Sequence, residues 1–323
     1  MVERLGAALV GAACLLAAGR AGAQIRTQFE GWFDPRDPAL LPDAFAPPSL
    51  PDLTHRGAWF NLESSVASIR PRAQEGGAIR SRAGVWLLRG EAETELIRRT
   101  WYAGLATEAA YGESFVKGEA RGVVAGYPEL WTRAVWASRA GLAYGGGVSV
   151  VLPVFKRTQG EAAGRIAEAV RVVRPWTFAT YAENTITVRP YLDARVIDGP
   201  VTLQLRQAFD LQGLVAEVEV PRAGVVSLTT LFFGYRPWKP IGIGLELWEV
   251  YFLNASNIPD ERRAVFAVSP ALRYIGRRLQ PAISAIVPFE RPLFDRASSY
   301  WALRASIGLV LDEGAPFFGL APP

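Results

Sequence analysis

The chain has 323 residues and a formal net charge of +4, and half of its residues are hydrophobic. The charge is small for this length and the basic residues form no clustered stripe, which argues against a nucleic-acid-binding protein. The single cysteine, Cys14, excludes an internal disulfide framework, so a large folded architecture must supply the stability.

Residues 1–23 have the layout of a signal peptide that is cleaved on export. A short region with Arg4 precedes the apolar stretch LGAALVGAACLLAA, and the small residues Ala21 and Ala23 match a cleavage site. The alternative is a lipoprotein acylated at Cys14, which is disfavoured because Gly11 occupies a position that usually carries leucine.

Residues 24–57 are rich in proline and aspartate and show no strand pattern. We interpret them as a flexible lead, since chain termini are often disordered. The apolar groups in FEGWF and ALLPDAF leave a second interpretation open, in which this segment docks into the folded domain that follows it.

From residue 58 onward, apolar and polar residues alternate with a period of two, which is typical of two-sided β-strands. Around residue 188, for example, Ile186 and Val188 lie on one face while Thr187 and Arg189 lie on the other. The pattern predicts twelve strands: 59–69, 85–96, 99–110, 129–139, 141–154, 184–197, 201–212, 225–236, 240–253, 262–275, 279–290 and 299–311. Most are longer than usual globular strands and are long enough for a tilted strand to cross a bilayer.

The predicted connections alternate between long and short. The long ones span residues 70–84, 111–128, 155–183, 213–224, 254–261 and 291–298, and the intervening turns have one to three residues. Long loops at one end and short turns at the other are typical of an all-β, up-and-down antiparallel transmembrane barrel of a bacterial outer membrane, with both termini in the periplasm. Residues 24–57 then become a periplasmic lead or a plug of the barrel.

The predicted register places the apolar face of each strand toward lipid. Aromatic residues on this face lie near several strand ends, where membrane barrels carry aromatic girdles; they are Trp86, Trp101, Trp136, Tyr144, Tyr274 and Trp301. Prolines also fall within predicted strands, where each removes a ladder hydrogen bond, so we expect bulges or strand ends there; they are Pro153, Pro190, Pro270, Pro281 and Pro288.

A short amphipathic helix is predicted in the longest connection. In EAAGRIAEAVRVV, residues Ala162, Ile166, Ala169, Val170 and Val173 recur at helical spacing. We interpret this helix as one that packs over the barrel mouth and stabilises its loop, with a binding helix as the alternative.

Polar residues on the predicted inner face are the best candidates for function. As pore-lining residues we predict Glu63, Glu91, Glu93, Glu108, Arg189, Tyr191, Asp193, Arg195, Gln204, Arg206, Asp210, Glu246, Arg273 and Arg304. The early strands contribute mostly acidic residues and the later strands mostly arginines, so opposite charges are expected to meet across or around the interior. Two hypotheses follow: a polar pore whose field orients small solutes, or a salt-bridged interior that fills a narrow barrel.

No catalytic, metal or cofactor site is predicted. The only histidine, His55, lies ahead of the strands, where a structural or exposed role is expected. No cluster of histidine, cysteine and carboxylate residues has metal-ligand spacing, and no glycine-rich loop fits a phosphate. We expect membrane lipid and small solutes as partners, and no nucleic acid.

Residues 58–312 resemble bacterial outer-membrane β-barrel proteins. The segment AVFAVSPALRYIGRRLQPAISAIVPF, residues 264–289, resembles the transporter barrels of the MetA-pathway phenol-degradation family, which carry a Ser-Pro-Gly-Leu-Arg-Tyr element before the final strands; here Ala271 replaces the glycine. The final strand, SIGLVLD, resembles the insertion signal of such barrels but lacks a terminal phenylalanine. This resemblance implies an outer-membrane location in a Gram-negative cell envelope.

The sequence thus predicts four parts: a signal peptide 1–23, a proline-rich lead or plug 24–57, a barrel 58–312 and a tail 313–323. The predicted function is that of a porin-like channel for the passive passage of small solutes. The alternative is a closed barrel with a structural or surface-binding role through its external loops. An enzymatic barrel ranks third and a soluble lipocalin-like barrel fourth, because a lipocalin places its apolar face inside.

Overall fold

A computed structural model describes residues 58–71, 82–97, 101–114, 118, 120–137, 142–155, 162–215, 224–238, 241–254, 263–276, 279–289 and 297–311. The predicted signal peptide, the segment 24–57 and the tail lie outside the described residues, so the predictions made for them stay predictions. Within the described ranges, neither helix is long and apolar enough to cross a membrane.

The described part of the chain contains thirteen strands and two short helices between the sixth and seventh strands. The strands are β1 (Ala58–Pro71), β2 (Ala83–Ile97), β3 (Trp101–Glu113), β4 (Arg121–Ala125), β5 (Glu129–Ala137), β6 (Leu142–Val151), β7 (Thr185–Asp198), β8 (Val201–Leu214), β9 (Gly224–Trp238), β10 (Ile241–Phe252), β11 (Ala264–Tyr274), β12 (Leu279–Pro288) and β13 (Ala297–Leu311). The helices are α1 (Ala162–Val173) and a 3-10 helix (Pro175–Tyr181). All strands except β4 correspond to predicted strands, with ends that differ by at most three residues.

Twelve strands form a closed antiparallel ring. Each strand pairs with its neighbour along the chain, except that β3 pairs with β5, and β1 pairs with β13 to close the ring. Every ring strand therefore has two partners, which a sheet in lipid requires because lipid offers no hydrogen-bond partner to an edge. The predicted twelve-stranded barrel is confirmed.

The strand β4 lies outside the ring. It pairs with the external end of β3, where β5 does not reach, because β5 pairs only with β3 residues 101–106. Residues 111–128 are predicted above as a loop throughout, and this prediction is wrong for β4. Five residues are too few to show the alternation on which the prediction depended.

Burial alternates along the ring strands in the predicted register. In β2, Val85 and Leu87 are buried, while Trp86 and Leu88 are exposed on the outer surface. All six aromatic residues predicted on the lipid-facing side are exposed, by 42% to 52% of their surface. The outer surface is therefore an apolar belt with aromatic side chains, as a bilayer requires.

Most of the prolines predicted to disturb the strands lie where the pairing is interrupted. Pro153 follows the end of β6, and Pro288 is the last residue of β12. Pro190 keeps register with β6 but has no partner in β8, and Pro270 keeps register with β10 but has none in β12. Pro281 is the exception, because it pairs in register with Ile307.

The external half of the barrel interior, at the end with the long connections, is apolar. Ile69 and Leu87 of β1 and β2 belong to the same buried cluster as Val250 and Phe252 of β10. The periplasmic half and the middle of the interior carry most of the charged side chains. The barrel is therefore divided along its axis into an apolar external half and a charged layer below it.

The connection between β6 and β7 folds into the external half of the barrel. The predicted helix is confirmed as α1, and its residues Ile166 and Val170 join the apolar cluster of the barrel wall. In the 3-10 helix, Trp176 stacks on Trp248 with ring centroids 3.7 Å apart. We call residues 162–184 the inserted segment.

Candidate functional site

The structure places all fourteen predicted pore-lining residues on the inner face of the ring. Glu91, Arg189 and Arg206 are half-buried, and the other eleven are buried. Arg195, Gln204 and Arg273 lie toward the periplasmic ends of their strands. Each remaining charged residue of the set forms an ion pair, either within one strand, between strands of the wall or, for Glu63, with the inserted segment.

A carboxylate on β5 lies at the centre of the largest network. Glu129 accepts hydrogen bonds from Arg89 on β2, at 3.2 Å, and from Arg189 on β7, at 3.1 Å. Arg89 also donates to Glu108 at 3.3 Å, and Arg189 donates to Asp210 at 3.0 Å. One carboxylate thus bridges two arginines that repel each other. The ion pairs offset part of the desolvation cost of burying both guanidinium groups.

Two further pairs lie on the periplasmic side of this network. Arg133 donates to both carboxylate oxygens of Glu93, at 2.9 and 2.5 Å. Arg206 binds Asp193 through two hydrogen bonds of 2.7 Å and lies over the ring of Tyr191, 4.4 Å from its centroid. Paired bonds of this kind hold a guanidinium in one plane and one position.

A third group of pairs joins more distant parts of the barrel. Arg304 on β13 donates to Glu246 on β10 at 2.8 Å, and both side chains are buried. Arg174, in the inserted segment, lies 3.2 Å from a carboxylate oxygen of Glu63 on β1. The second pair fastens the inserted segment to the wall of the barrel.

Several residues of this layer were not predicted from the sequence. Glu129, Trp131 and Arg133 alternate along β5 on the inner face, so the signal that identified the other residues was present there also. Arg174 and Trp176 follow α1 in a connection without alternation, and nothing in the sequence indicated that this connection turns inward.

Arginines close to the acidic residues change the predicted charge distribution. Arg133 and Arg174 pair with Glu93 and Glu63, two members of the acidic group in the early strands. Arg89 pairs with three other carboxylates of β2, β3 and β5. The acidic side of the interior is therefore neutralised largely by nearby arginines, and less by the arginines of the opposite wall than the sequence indicated.

A cavity of about 80 Å³, which we call the chamber, lies within the charged layer. Its charged lining residues are Arg89, Glu91, Glu129, Arg174, Arg189 and Arg206. Its aromatic lining residues are Trp131, Trp176 and Tyr191. Trp176 and Arg174 form part of it from the side of the inserted segment, so the chamber lies between that segment and the barrel wall.

Two glycines make room for side chains in the layer. Gly104 faces Trp131 across the β3–β5 pair, and a Cβ at this position would lie 2.7 Å from the carbonyl oxygen of Ala92 and overlap the indole ring. Gly147 lies beside Tyr191, where a Cβ would come within 2.7 Å of the phenol oxygen. In the described ranges, no three histidine, cysteine or carboxylate side chains are placed to share a metal ion.

No family model and no curated protein matches the chain. Among solved structures, an outer-membrane channel from Pseudomonas putida F1 is similar, with 13% identity and a TM-score of 0.56 over 83% of this chain and 100% of that chain. The NanC porin is also similar, with 9% identity and a TM-score of 0.50 over 78% of this chain and 100% of that chain. These comparisons confirm the predicted outer-membrane β-barrel fold, and they give no support to the narrower resemblance to the MetA-pathway family.

Proposed function

We propose that this barrel is an outer-membrane channel through which small solutes pass passively, by way of the charged layer. The observation that carries the proposal is the chamber, which is open space inside a closed barrel, bounded by polar and charged groups. The two similar structures are a channel and a porin, and we propose no enzymatic activity. The partners that we propose are membrane lipid and the solutes themselves.

The charged layer gives a passing solute polar contacts inside the barrel. Arginines and carboxylates on facing strands create a field across the lumen, which orients a dipolar or charged solute during passage. The fourteen predicted residues, together with Glu129 and Arg133, are the groups that we propose to line this path.

The inserted segment is the gate in this proposal. It fills the external half of the barrel, so a solute reaches the chamber from outside only when the segment moves or yields. The polar contacts that hold it include the Arg174–Glu63 pair, the hydrogen bond from the Thr180 hydroxyl to Glu108, and the bond from the backbone N–H of Tyr127 to the Thr180 carbonyl oxygen, at 2.7 Å. Arg189 also donates to the carbonyl oxygen of Trp176, and the backbone N–H of Asn184 donates to the Tyr127 hydroxyl, both at 3.3 Å.

One observation favours a second candidate, a closed barrel that acts through its external loops. Eleven of the fourteen predicted lining residues are buried, and the charges are paired. An interior of this kind is also what a barrel would use only to fill itself. The two candidates differ in whether ions cross the protein.

Single-channel conductance in a planar bilayer tests the proposal. The chain from residue 24 would be compared with a variant that lacks residues 24–57 and with the double variant Glu63→Gln/Arg174→Gln. We expect steady conductance and a larger open fraction in the double variant. Conductance only after truncation would make residues 24–57 a plug, and no conductance in any folded, inserted form would refute the channel.

A further inference from the structure

The chamber contains hydrogen-bond donors that no described residue satisfies. The Nε of Arg174 and the indole Nε1 of Trp176 are buried and have no acceptor among the described residues. Arg206 uses its Nε and one terminal nitrogen for Asp193, and its other terminal nitrogen donates to none of those residues. Buried donors without an acceptor are costly, so a chamber built this way is suited to a ligand or water that supplies acceptors.

The carboxylates of the chamber are, by contrast, already occupied. One oxygen of Glu129 accepts from Arg189 and from Ser149, at 3.1 and 2.8 Å, and the other accepts from Arg89 at 3.2 Å. Both oxygens of Glu91 accept hydrogen bonds as well, from Arg89 and Asn61. Every carboxylate oxygen of the chamber thus has a donor, whereas several donors lack an acceptor among the described residues. Four arginines line the chamber against two carboxylates, which favours an anion over a cation.

The remaining walls of the chamber are aromatic and apolar, apart from the hydroxyl residues Ser149, Thr177 and Thr230. Trp131, Trp176 and Tyr191 line it, and Ala208 and Leu228 add apolar surface. The chamber has a volume of about 80 Å³, which is enough for several waters. An organic solute with one ring fits this space, and its ring has aromatic faces to contact.

We propose that the chamber binds a small carboxylate with a flat, apolar body. The carboxylate accepts hydrogen bonds from Arg174 and Trp176 on the inserted segment and from Arg206 on β8, while the body lies against the aromatic walls. This inference rests on the proposed function, because it takes the chamber to be part of the solute path. The ligand bridges the gate and the wall, so it also stabilises the closed gate.

Three probes of one shape and different charge test the inference. Benzoate, benzamide and benzamidine would be titrated by calorimetry into the folded chain from residue 24 in detergent micelles. We expect benzoate to bind at least about tenfold more tightly than benzamide, since it alone supplies a charged acceptor to the spare donors, and benzamidine to bind most weakly. Equal affinity for benzoate and benzamide, or a preference for benzamidine, would overturn the inference.

The affinity for inorganic phosphate shows whether the chamber prefers a flat carboxylate or binds any oxyanion. Phosphate offers the same kind of acceptor but no apolar body, so we expect it to bind more weakly than benzoate. If phosphate binds as tightly as benzoate, the aromatic walls contribute nothing and the assignment to an apolar carboxylate fails.

A matched pair of variants locates the site. Trp176→Phe keeps a ring in the stack on Trp248 but removes an indole N–H that has no acceptor among the described residues, so benzoate should bind about tenfold more weakly. Trp248→Phe removes the N–H of the other ring in the same stack, which does not line the chamber, and benzoate affinity should not change. Equal effects of the two substitutions would refute binding in the chamber.

Binding in micelles does not require that the barrel conducts. Benzoate binding without conductance would therefore refute the proposed channel and leave this site in place. Conductance without selective benzoate binding would refute this site and leave the channel in place.

Discussion

The ion pair between Arg174 and Glu63 fastens the inserted segment to β1, and its removal should release that segment. The double variant Glu63→Gln/Arg174→Gln removes both charges, so neither is left buried without a partner. The pair has N–O distances of 3.2 and 3.3 Å, which are long for such bonds, so we take the lower end of the usual contribution, about 1.5 kcal/mol. The ratio of released to inserted forms should then rise about tenfold.

Cysteine accessibility measures this ratio directly. Cys14 is the only cysteine of the chain, so a protein that starts at residue 24 contains none. Ala179 lies in the inserted segment and is fully buried, so Ala179→Cys should react with a water-soluble thiol reagent only when the segment is released. When opening is faster than modification, the reaction rate follows the released population, and it should rise about tenfold in the double variant.

The control is an ion pair that joins two strands of the wall. Glu246→Gln/Arg304→Gln removes a pair of the same kind, between β10 and β13, with an N–O distance of 2.8 Å. In the Ala179→Cys background, this second double variant should leave the modification rate unchanged. An equal rise in both double variants, or no rise in either, would refute the role of the Arg174–Glu63 pair as a fastening of the gate.

Three further predictions concern stability, measured as the free energy of unfolding in vesicles with urea. Leu245→Arg places a charge on the lipid-facing surface near the middle of β10 and should cost about 2–4 kcal/mol; a cost below about 1 kcal/mol would mean that this surface does not face lipid. Gly104→Ala should cost about 1–3 kcal/mol, because its Cβ would overlap an indole ring, whereas Gly90→Ala meets no atom within 4 Å and should be neutral; similar costs would contradict the packing described. Arg133→Met leaves Glu93 buried without its main partner and should cost about 3–5 kcal/mol, and adding Glu93→Gln should recover most of that loss; a double variant as unstable as the single one would show that the charge is not the cause.

The strands and the faces of the barrel could be predicted because they depend on a period of two that is written along each strand. Val85 and Leu87 alternate with Trp86 and Leu88 in the sequence, and the structure separates them into interior and lipid-facing residues. The same rule placed Glu63, Asp193 and Arg304 on the inner face. Local alternation is sufficient here, because a strand that crosses a bilayer presents one face to lipid and the other to the barrel interior.

The inserted segment could not be predicted because no local pattern records which way a long connection turns. The helical spacing of Ile166 and Val170 indicated an apolar face, but that face is equally suited to cover the barrel mouth or to enter it. The entry depends on contacts that are distant in sequence, such as Trp176 with Trp248 and Arg174 with Glu63. The chamber follows from these contacts, so it also had no signal in the sequence.

Because β1 pairs with β13, the barrel wall does not depend on which strand comes first in the chain. Fourteen residues of β1 are paired with β13, more than in any other pair of strands, so the junction of the two chain ends is as continuous as the rest of the wall. In a ring closed in this way, no strand is an edge strand. We therefore expect that new termini at a short periplasmic turn, such as the one at Gly199, with residues 311 and 58 joined by a linker, would give a permuted chain that forms the same barrel.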